Sequence, residues 1–155
     1  MIIGDLIETE PINFIESPWH YLSPFSAHQI KVDEKIYPTL EHAYQAMRLK
    51  SDEQRSKVQN CPSPLEAWRL GQKYKINPNN LVSDYDKTEL MERLMRLKLK
   101  QHPDIAAVLL ESGGRGLHKV FGTDYFWGTG HDGSGQNIMG KLWMKLRDEL
   151  VNARN

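Results

Sequence analysis

The segment Tyr37-Pro38-Thr39-Leu40-Glu41-His42-Ala43-Tyr44-Gln45-Ala46-Met47-Arg48 gathers the residues best suited to chemistry. At 3.6 residues per turn, Glu41, Tyr44, Gln45 and Arg48 share one face, at spacings of three, four and seven. Leu40, Ala43 and Met47 form an apolar stripe beside them, expected to face the core. Two readings are open. Either Glu41 is a first-turn acid favoured by the helix dipole, with Arg48 as a partner further along, or it lines a cleft where Gln45 and Tyr44 orient a polar ligand. The second is what acid–base catalysis requires. A second group is Thr123-Asp124-Tyr125-Phe126-Trp127-Gly128-Thr129-Gly130-His131-Asp132-Gly133-Ser134-Gly135-Gln136-Asn137. Its glycines match G-x-G-x-x-G in form only. That fingerprint needs a strand–turn–helix unit and an acid about 20 residues on, and here the chain is almost over. What remains is a glycine-rich loop entering a helix, either a plain surface turn or a cradle of amides for a phosphate. Trp127, three residues after Asp124, is either a core side chain or a stacking platform for a base or sugar.

Lys98 follows Met91 and Met95 on one side of a helix. It either snorkels outward or points into a cleft, where desolvation would make its amine a usable nucleophile. Arg93, Arg96 and Lys100 make this helix the one notable basic cluster, which also reads as a solvated face. The six histidines show no H-x-H or H-E-x-x-H spacing. A nucleophile elbow and a Walker loop are missing as well. Neither a metal nor a cofactor is expected.

The elements that must hold these groups follow from composition and punctuation. The chain has 155 residues, 39% hydrophobic, with 20 basic and 20 acidic side chains, and reads as one domain over 1–155. Zero net charge means that any anion site must be local. Cys61 is the sole cysteine, which excludes an intrachain disulfide. Residues 1–11 carry Asp5, Glu8 and Glu10 without a basic start, so they do not read as a secretory signal. The longest aliphatic run, Ile105 to Leu110, is far short of the roughly 20 residues of a membrane span. A soluble, cytoplasmic protein is expected. Short strands are predicted at Ile2–Ile7, Ile12–Ile15, Gln29–Val32 and Lys35–Tyr37, the last two a hairpin around Asp33-Glu34. Thr39 can N-cap the helix after Pro38. Ser63-Pro64-Leu65-Glu66 and Asp86-Lys87-Thr88-Glu89 open two more helices. His102-Pro103 ends one helix and starts another, which stops at Gly113-Gly114. A final helix carries Ile138, Leu142, Leu146 and Leu150 on one stripe. Short strands followed by helices predict an α+β domain.

Three ordered blocks carry a resemblance. Tyr37-Pro-Thr-Leu-Glu41-His42-Ala-Tyr44-Gln45-Ala46 is similar to the signature Y-P-T-x-E-H-x-x-Q-A, and Asp124-Tyr-Phe-Trp127-Gly128-Thr-Gly130 to D-x-x-W-G-x-G. Gly135-Gln-Asn137-Ile-Met-Gly140-Lys-Leu-Trp-Met144-Lys-Leu-Arg147 is similar to G-x-N-x-L-G-x-x-L-M-x-x-R. Over about Phe14 to Leu150 the chain resembles the NADAR (YbiA-like) family, associated with NAD and ADP-ribose. The resemblance implies a mostly helical α+β fold and N-glycosidase activity. One branch of the family acts on phosphorylated riboflavin-pathway intermediates; another removes ADP-ribose from guanine bases in nucleic acid. The expected partner is therefore a substrate containing ribose phosphate or ADP-ribose, with ADP-ribosylated nucleic acid as one form. Lys98 matches the lysine of the family's K-F pair. The chain departs from the pattern at Pro24 (family asparagine in L-S-N-F), Arg48 (lysine), Leu99 (phenylalanine) and Met139 (leucine). Lys119 stands where the family has an acid, and Tyr85 where it has a tryptophan.

With this resemblance, Glu41 becomes the expected acid/base and Lys98 a nucleophile forming a transient Schiff base at the sugar C1. Asp124 would hold ribose hydroxyls or polarise a water, and Trp127 would stack on the base or sugar. The loop with Gly128, Gly130 and Asn137 would take phosphate, while Ser23, Tyr44, Gln45 and Arg48 would make further substrate contacts. Glu41, Lys98 and Asp124 are expected to converge on one water-poor hollow. The alternative is a module that binds ADP-ribose or a modified nucleotide without hydrolysis, favoured by Pro24 and Lys119. A third reading is an interaction protein using the basic helix Arg93–Lys100.

Overall fold

A computed structural model describes residues 10–154. The strand predicted at Ile2–Ile7 lies outside the described residues. In chain order the elements are β1 (Ile12–Asn13), β2 (Ile30–Val32), β3 (Lys35–Tyr37), α1 (Leu40–Met47), α2 (Asp52–Gln59), α3 (Pro64–Lys75), α4 (Lys87–Gln101), α5 (Pro103–Glu111), β4 (Leu117–His118) and α6 (Ile138–Arg154). Single 3-10 turns lie at Trp19–Leu22 and Pro78–Asn80. This is the α+β, mostly helical architecture expected. Among the described residues no helix is long and apolar enough to cross a membrane. The chain gathers into two compact units, Pro24–Gln101 and the residues up to Ser23 together with those from His102 onward.

In the unit Pro24–Gln101, β2 and β3 pair antiparallel, with Ile30 opposite Tyr37 and Val32 opposite Lys35. Asp33 takes a left-handed φ of 55° in the connecting turn. The outer edge of β2 is closed by a side chain: Lys31 N donates to Gln101 Oε1 and Gln101 Nε2 donates to Lys31 O, both at 2.8 Å. That pairing fastens the end of α4 to the hairpin and covers an exposed strand edge. Thr39 caps α1, its hydroxyl accepting from His42 N at 3.2 Å. The expected separation of an apolar stripe from a polar face does not survive. Every residue from Leu40 to Ala46 is buried, the polar ones included, and Met47 is the half-buried one. Helix α1 is central, packed by α2, α3 and α4, so its polar face has to be satisfied inside the protein.

Its neighbours are held by local signals. Helix α2, which hydrophobic periodicity does not reveal, starts at an N-cap from Ser51 and buries Val58. Arg55 holds it to the end of α1, donating to Leu49 O at 2.6 Å and Met47 O at 3.2 Å. Ser63 caps α3 with Pro64 in its first turn. Asp86 Oδ1 receives the amides of Thr88 and Glu89 at the start of α4.

In the other unit, β1 and β4 form a parallel pair with Ile12 opposite Leu117. β4 corrects the expectation that the strands are N-terminal; two residues are too few to leave a pattern. Helix α6 buries Met139, Leu142, Trp143 and Leu146. The Trp143 indole donates to Leu22 O at 2.9 Å, so the apolar ring is buried with its N–H paired. Arg147 donates to Ser112 Oγ at 2.9 Å and Arg115 O at 2.7 Å. These bonds close the end of α5, where Gly113 turns left-handed at φ 61°.

Candidate active site

Helix α1 assembles the first half of the expected site. Glu41, Tyr44, Gln45 and Arg48 are all buried. Gln45 Nε2 donates to Glu41 Oε2 at 2.7 Å. Arg48 Nη2 donates in turn to Gln45 Oε1 and, at 2.9 Å, to Gln72 Oε1 on α3. A chain of hydrogen bonds thus runs from carboxylate through amide to guanidinium, and Gln45 separates the two charges. Direct pairing of Glu41 with Arg48 is not what the fold uses. The guanidinium carbon lies 5.4 Å from the Tyr44 ring centroid, a cation–π contact. Arg48 Nε is buried with no hydrogen-bond acceptor among the described residues. Burial, then the neighbouring Tyr85 phenol, hold the Tyr44 hydroxyl well above its usual range. Tyr44 is therefore a neutral donor, bonded to Tyr85. Gly71 makes the arrangement possible, because a Cβ there would lie 2.1 Å from Gln45 Oε1.

His42, on the same helix, is structural. Its Nε2 lies 3.0 Å from Cys61 O and its Nδ1 2.8 Å from Thr39 Oγ1. Donation to the carbonyl leaves Nδ1 to accept the threonine proton, which selects the neutral Nε2–H tautomer. Burial accordingly lowers its pKa, only partly offset by the Cys61 carbonyl.

Lys98 belongs to the same unit. It does not snorkel: it is fully buried on the same side of its helix as the buried Met91 and Met95, and its Nζ donates to Ser26 Oγ at 2.6 Å. Ser26 Oγ is in turn 2.9 Å from His28 Nδ1. Sequence reasoning missed Ser26 and His28, although an i, i+2 pair of polar side chains before a strand is a usable signal for two groups on one side. Gln72 and Gly71 were also missed.

In the other unit, the loop after β4 has its own network. Asp124 Oδ1 accepts the amides of Phe126 at 3.3 Å and Trp127 at 2.9 Å, while Oδ2 holds Lys119 Nζ at 2.5 Å. The side chains of Lys119 and Asp124 are 15% and 17% exposed, so the pair is largely withdrawn from water. Trp127 is half-buried and meets Phe126 edge to face, centroids 4.7 Å apart. At the start of α6, where a phosphate cradle is expected, many of the amides are already engaged within the protein. The amides of Thr129, Gly130, Gly135, Gln136, Asn137, Ile138 and Met139 all donate to backbone carbonyls. Amides already paired with carbonyls cannot also receive a phosphate without breaking the loop. Gly128 lets this folding happen, since a Cβ there would sit 2.4 Å from Lys119 O. Gly130 has φ 68° under the Tyr125 ring. The Asn137 amide is a clip: Nδ2 donates to Leu117 O and Oδ1 accepts from Lys119 N, both at 3.0 Å. Ser23 is buried and ends the 3-10 turn, its amide donating to His20 O at 2.8 Å.

Comparison with known proteins extends the pattern to the whole chain. The sequence model of the NADAR domain matches residues 11–151. Two proteins called N-glycosidase YbiA, from Shigella boydii and Escherichia coli, are each 34% identical over 151 residues, covering 96% of this chain and 94% of theirs. The NMR structure of E. coli YbiA aligns with a TM-score of 0.81 at 32% identity, over 94% of this chain and 87% of that one. With sequence and fold agreeing over nearly the full length of both partners, this chain belongs to the NADAR domain family.

Proposed function

We propose that this chain is an N-glycosidase that hydrolyses a ribosyl–nitrogen bond. The substrate we favour is an ADP-ribosylated guanine base in nucleic acid or a related phosphoribosyl-linked nucleotide, and the location we favour is the cytoplasm. The observation that carries this reading is the withdrawal from water of a carboxylate and an amine within one compact unit: Glu41 is 7% exposed and Lys98 0%. Burying ionisable groups costs stability unless chemistry or pairing requires it.

Glu41, oriented by Gln45, gives its proton to the departing base nitrogen as the C1–N bond breaks. The Lys98 amine forms the new bond to C1 and loses a proton. Its lone pair then expels the ring oxygen, which takes up a proton, leaving an imine. Water activated by the Glu41 carboxylate adds to that imine, releasing the free sugar and restoring the amine. Arg48, a cation with an unused Nε donor, supplies attraction for the substrate phosphate that the loop amides do not. Asp124 takes the part of positioning Trp127, whose ring stacks on base or sugar; its remaining lone pairs can accept a ribose hydroxyl.

A second reading, recognition of ADP-ribose without hydrolysis, is favoured by one observation: Lys119 neutralises the Asp124 carboxylate. One experiment decides between them. The protein is incubated with ADP-ribosylated guanine nucleic acid, with and without borohydride, alongside Lys98→Ala and Glu41→Gln. Release of free base, with a borohydride-trapped adduct that Lys98→Ala abolishes, is expected. Tight ADP-ribose binding by calorimetry without turnover over hours would select the binding module instead. Base release undiminished in Lys98→Ala would remove the lysine route.

A further inference from the structure

The amine of Lys98 is fully buried, yet a side-chain path leads from it to the surface. Lys98 Nζ is 2.6 Å from Ser26 Oγ, and Ser26 Oγ is 2.9 Å from His28 Nδ1. Lys98 and Ser26 are buried, while His28 is half-exposed. The backbone fixes the path, because His28 N donates to Ser26 O at 2.8 Å across Ala27, a three-residue turn that sets the two side chains together. With Nζ donating to Oγ, the hydroxyl proton of Ser26 is left to bond Nδ1, which selects the Nε2–H tautomer of His28. Each group can therefore pass a proton outward without moving.

We propose that Ser26 and His28 are a proton relay for Lys98, connecting its buried amine to solvent during attack on the sugar. They are positioning residues acting through Lys98, so the proposal rests on the reading of Lys98 as nucleophile. As the neutral amine bonds to C1, the C1–N bond breaks and its electron pair leaves with the base nitrogen, which is protonated by Glu41. The new Nζ–C1 bond leaves one proton too many on Nζ. That proton moves to Ser26 Oγ while the hydroxyl's own proton moves to His28 Nδ1, and the imidazolium releases its Nε2 proton to water. The reverse sequence returns a proton when the amine is regenerated. A buried lysine without such a path would have to wait for solvent to enter.

The test uses ADP-ribose, whose ring-opened aldehyde condenses with an amine, plus cyanoborohydride, with mass spectrometry of Lys98 as the readout. It runs on the full chain, independently of turnover. Labelling of Lys98 is expected in wild type, with rates about a hundredfold lower in Ser26→Ala and His28→Gly, the low end of what a positioned proton-transfer group contributes. Ser26→Thr, which keeps the hydroxyl, should label near the wild-type rate, and added imidazole should restore His28→Gly. A merely structural pair would not respond to imidazole. Wild-type labelling rates in His28→Gly or Ser26→Ala overturn the relay while leaving Lys98 as nucleophile. No label on Lys98 in wild type removes the nucleophile and the relay together.

Discussion

Gly71→Ala is a substitution whose sign the structure reverses. In a helix interior, replacing glycine with alanine ordinarily stabilises by about 0.5–1 kcal/mol, because alanine has less backbone freedom to lose. Gly71 sits inside α3, so propensity alone predicts a gain. The added Cβ, however, would lie 2.1 Å from Gln45 Oε1, 2.8 Å from its Cδ and 2.9 Å from its Cβ. Swinging the amide away clears the first two contacts and not the third, so α1 or α3 must also shift. Overpacking of this kind costs about 1–3 kcal/mol. Moving the amide also gives up a hydrogen bond to a charged group, at Glu41 or Arg48, worth about 1.5–3 kcal/mol. After the helix gain is subtracted, we expect a net loss of about 1.5–5.5 kcal/mol, or about 1–3 M in urea midpoint for a typical slope. Equilibrium urea unfolding measures it. Gln45→Ala removes the two nearest atoms, so the double variant should lose at least about 1 kcal/mol less than the two single losses combined. A Gly71→Ala protein as stable as wild type, or more so, would refute the placement of Gln45 between Glu41 and Arg48.

Other outcomes follow from the same contacts. Because burial lowers the His42 pKa, the unfolded chain binds more protons near its ordinary value. His42 therefore contributes stability in full above about pH 6.5 and loses it on acidification, by at most about 1.4 kcal/mol per pH unit. Urea midpoints from pH 7.5 to 5.5 should show this slope, and His42→Gln, though less stable, should lack it. Asn137 combines a left-handed φ of 51° with two side-chain bonds to backbone, one buried and one part-buried. Asn137→Ala should cost about 2–4 kcal/mol, and Asn137→Gly less, since it removes the strain but not the lost bonds; thermal unfolding that ranks them otherwise contradicts the clip. Asp124→Asn keeps an acceptor for the Phe126 and Trp127 amides and should cost about 1–2 kcal/mol, whereas Asp124→Ala should cost about 3 kcal/mol or more. Equal losses by calorimetry would mean that the turn does not depend on Asp124.

Features written locally were legible. Thr39, Ser63 and Asp86 announce helix starts because a capping oxygen acts within three residues, and all three accept the expected amides. The hairpin around Asp33 was readable for the same reason. Helix α2 was not, because Asp-Glu-Gln-Arg-Ser-Lys-Val-Gln offers one apolar residue and no period. Strand β4 was not either: Ile12 finds Leu117 across a separation that no window spans. In the site, helical periodicity brought Glu41, Gln45 and Arg48 to one face, and they are hydrogen-bonded there. Periodicity could not say that Lys98 turns inward, because its partner Ser26 is 72 residues away. Nor could glycine spacing show that the loop amides are spent on carbonyls; that depends on how the loop folds back on itself.

The lysine at position 119 illustrates why a departure from a family pattern needs a structure before it acquires a meaning. Read as composition, exchanging an acid for Lys119 alters local charge by about two units and suggests a changed field around the loop. In the folded chain that field is largely cancelled, because Lys119 Nζ rests on Asp124 Oδ2 at 2.5 Å. The other oxygen is tied to two amides, so Asp124 is drawn into holding the loop whatever else it does. Removing either oxygen from these contacts would loosen the turn at Trp127. Glu41 is different. Its Oε2 accepts from the Gln45 amide, and the guanidinium of Arg48 is one hydrogen bond further along the same helix. Of the two carboxylates that the motifs single out, Asp124 is tied into its own loop, while Glu41 heads the hydrogen-bonded chain along α1.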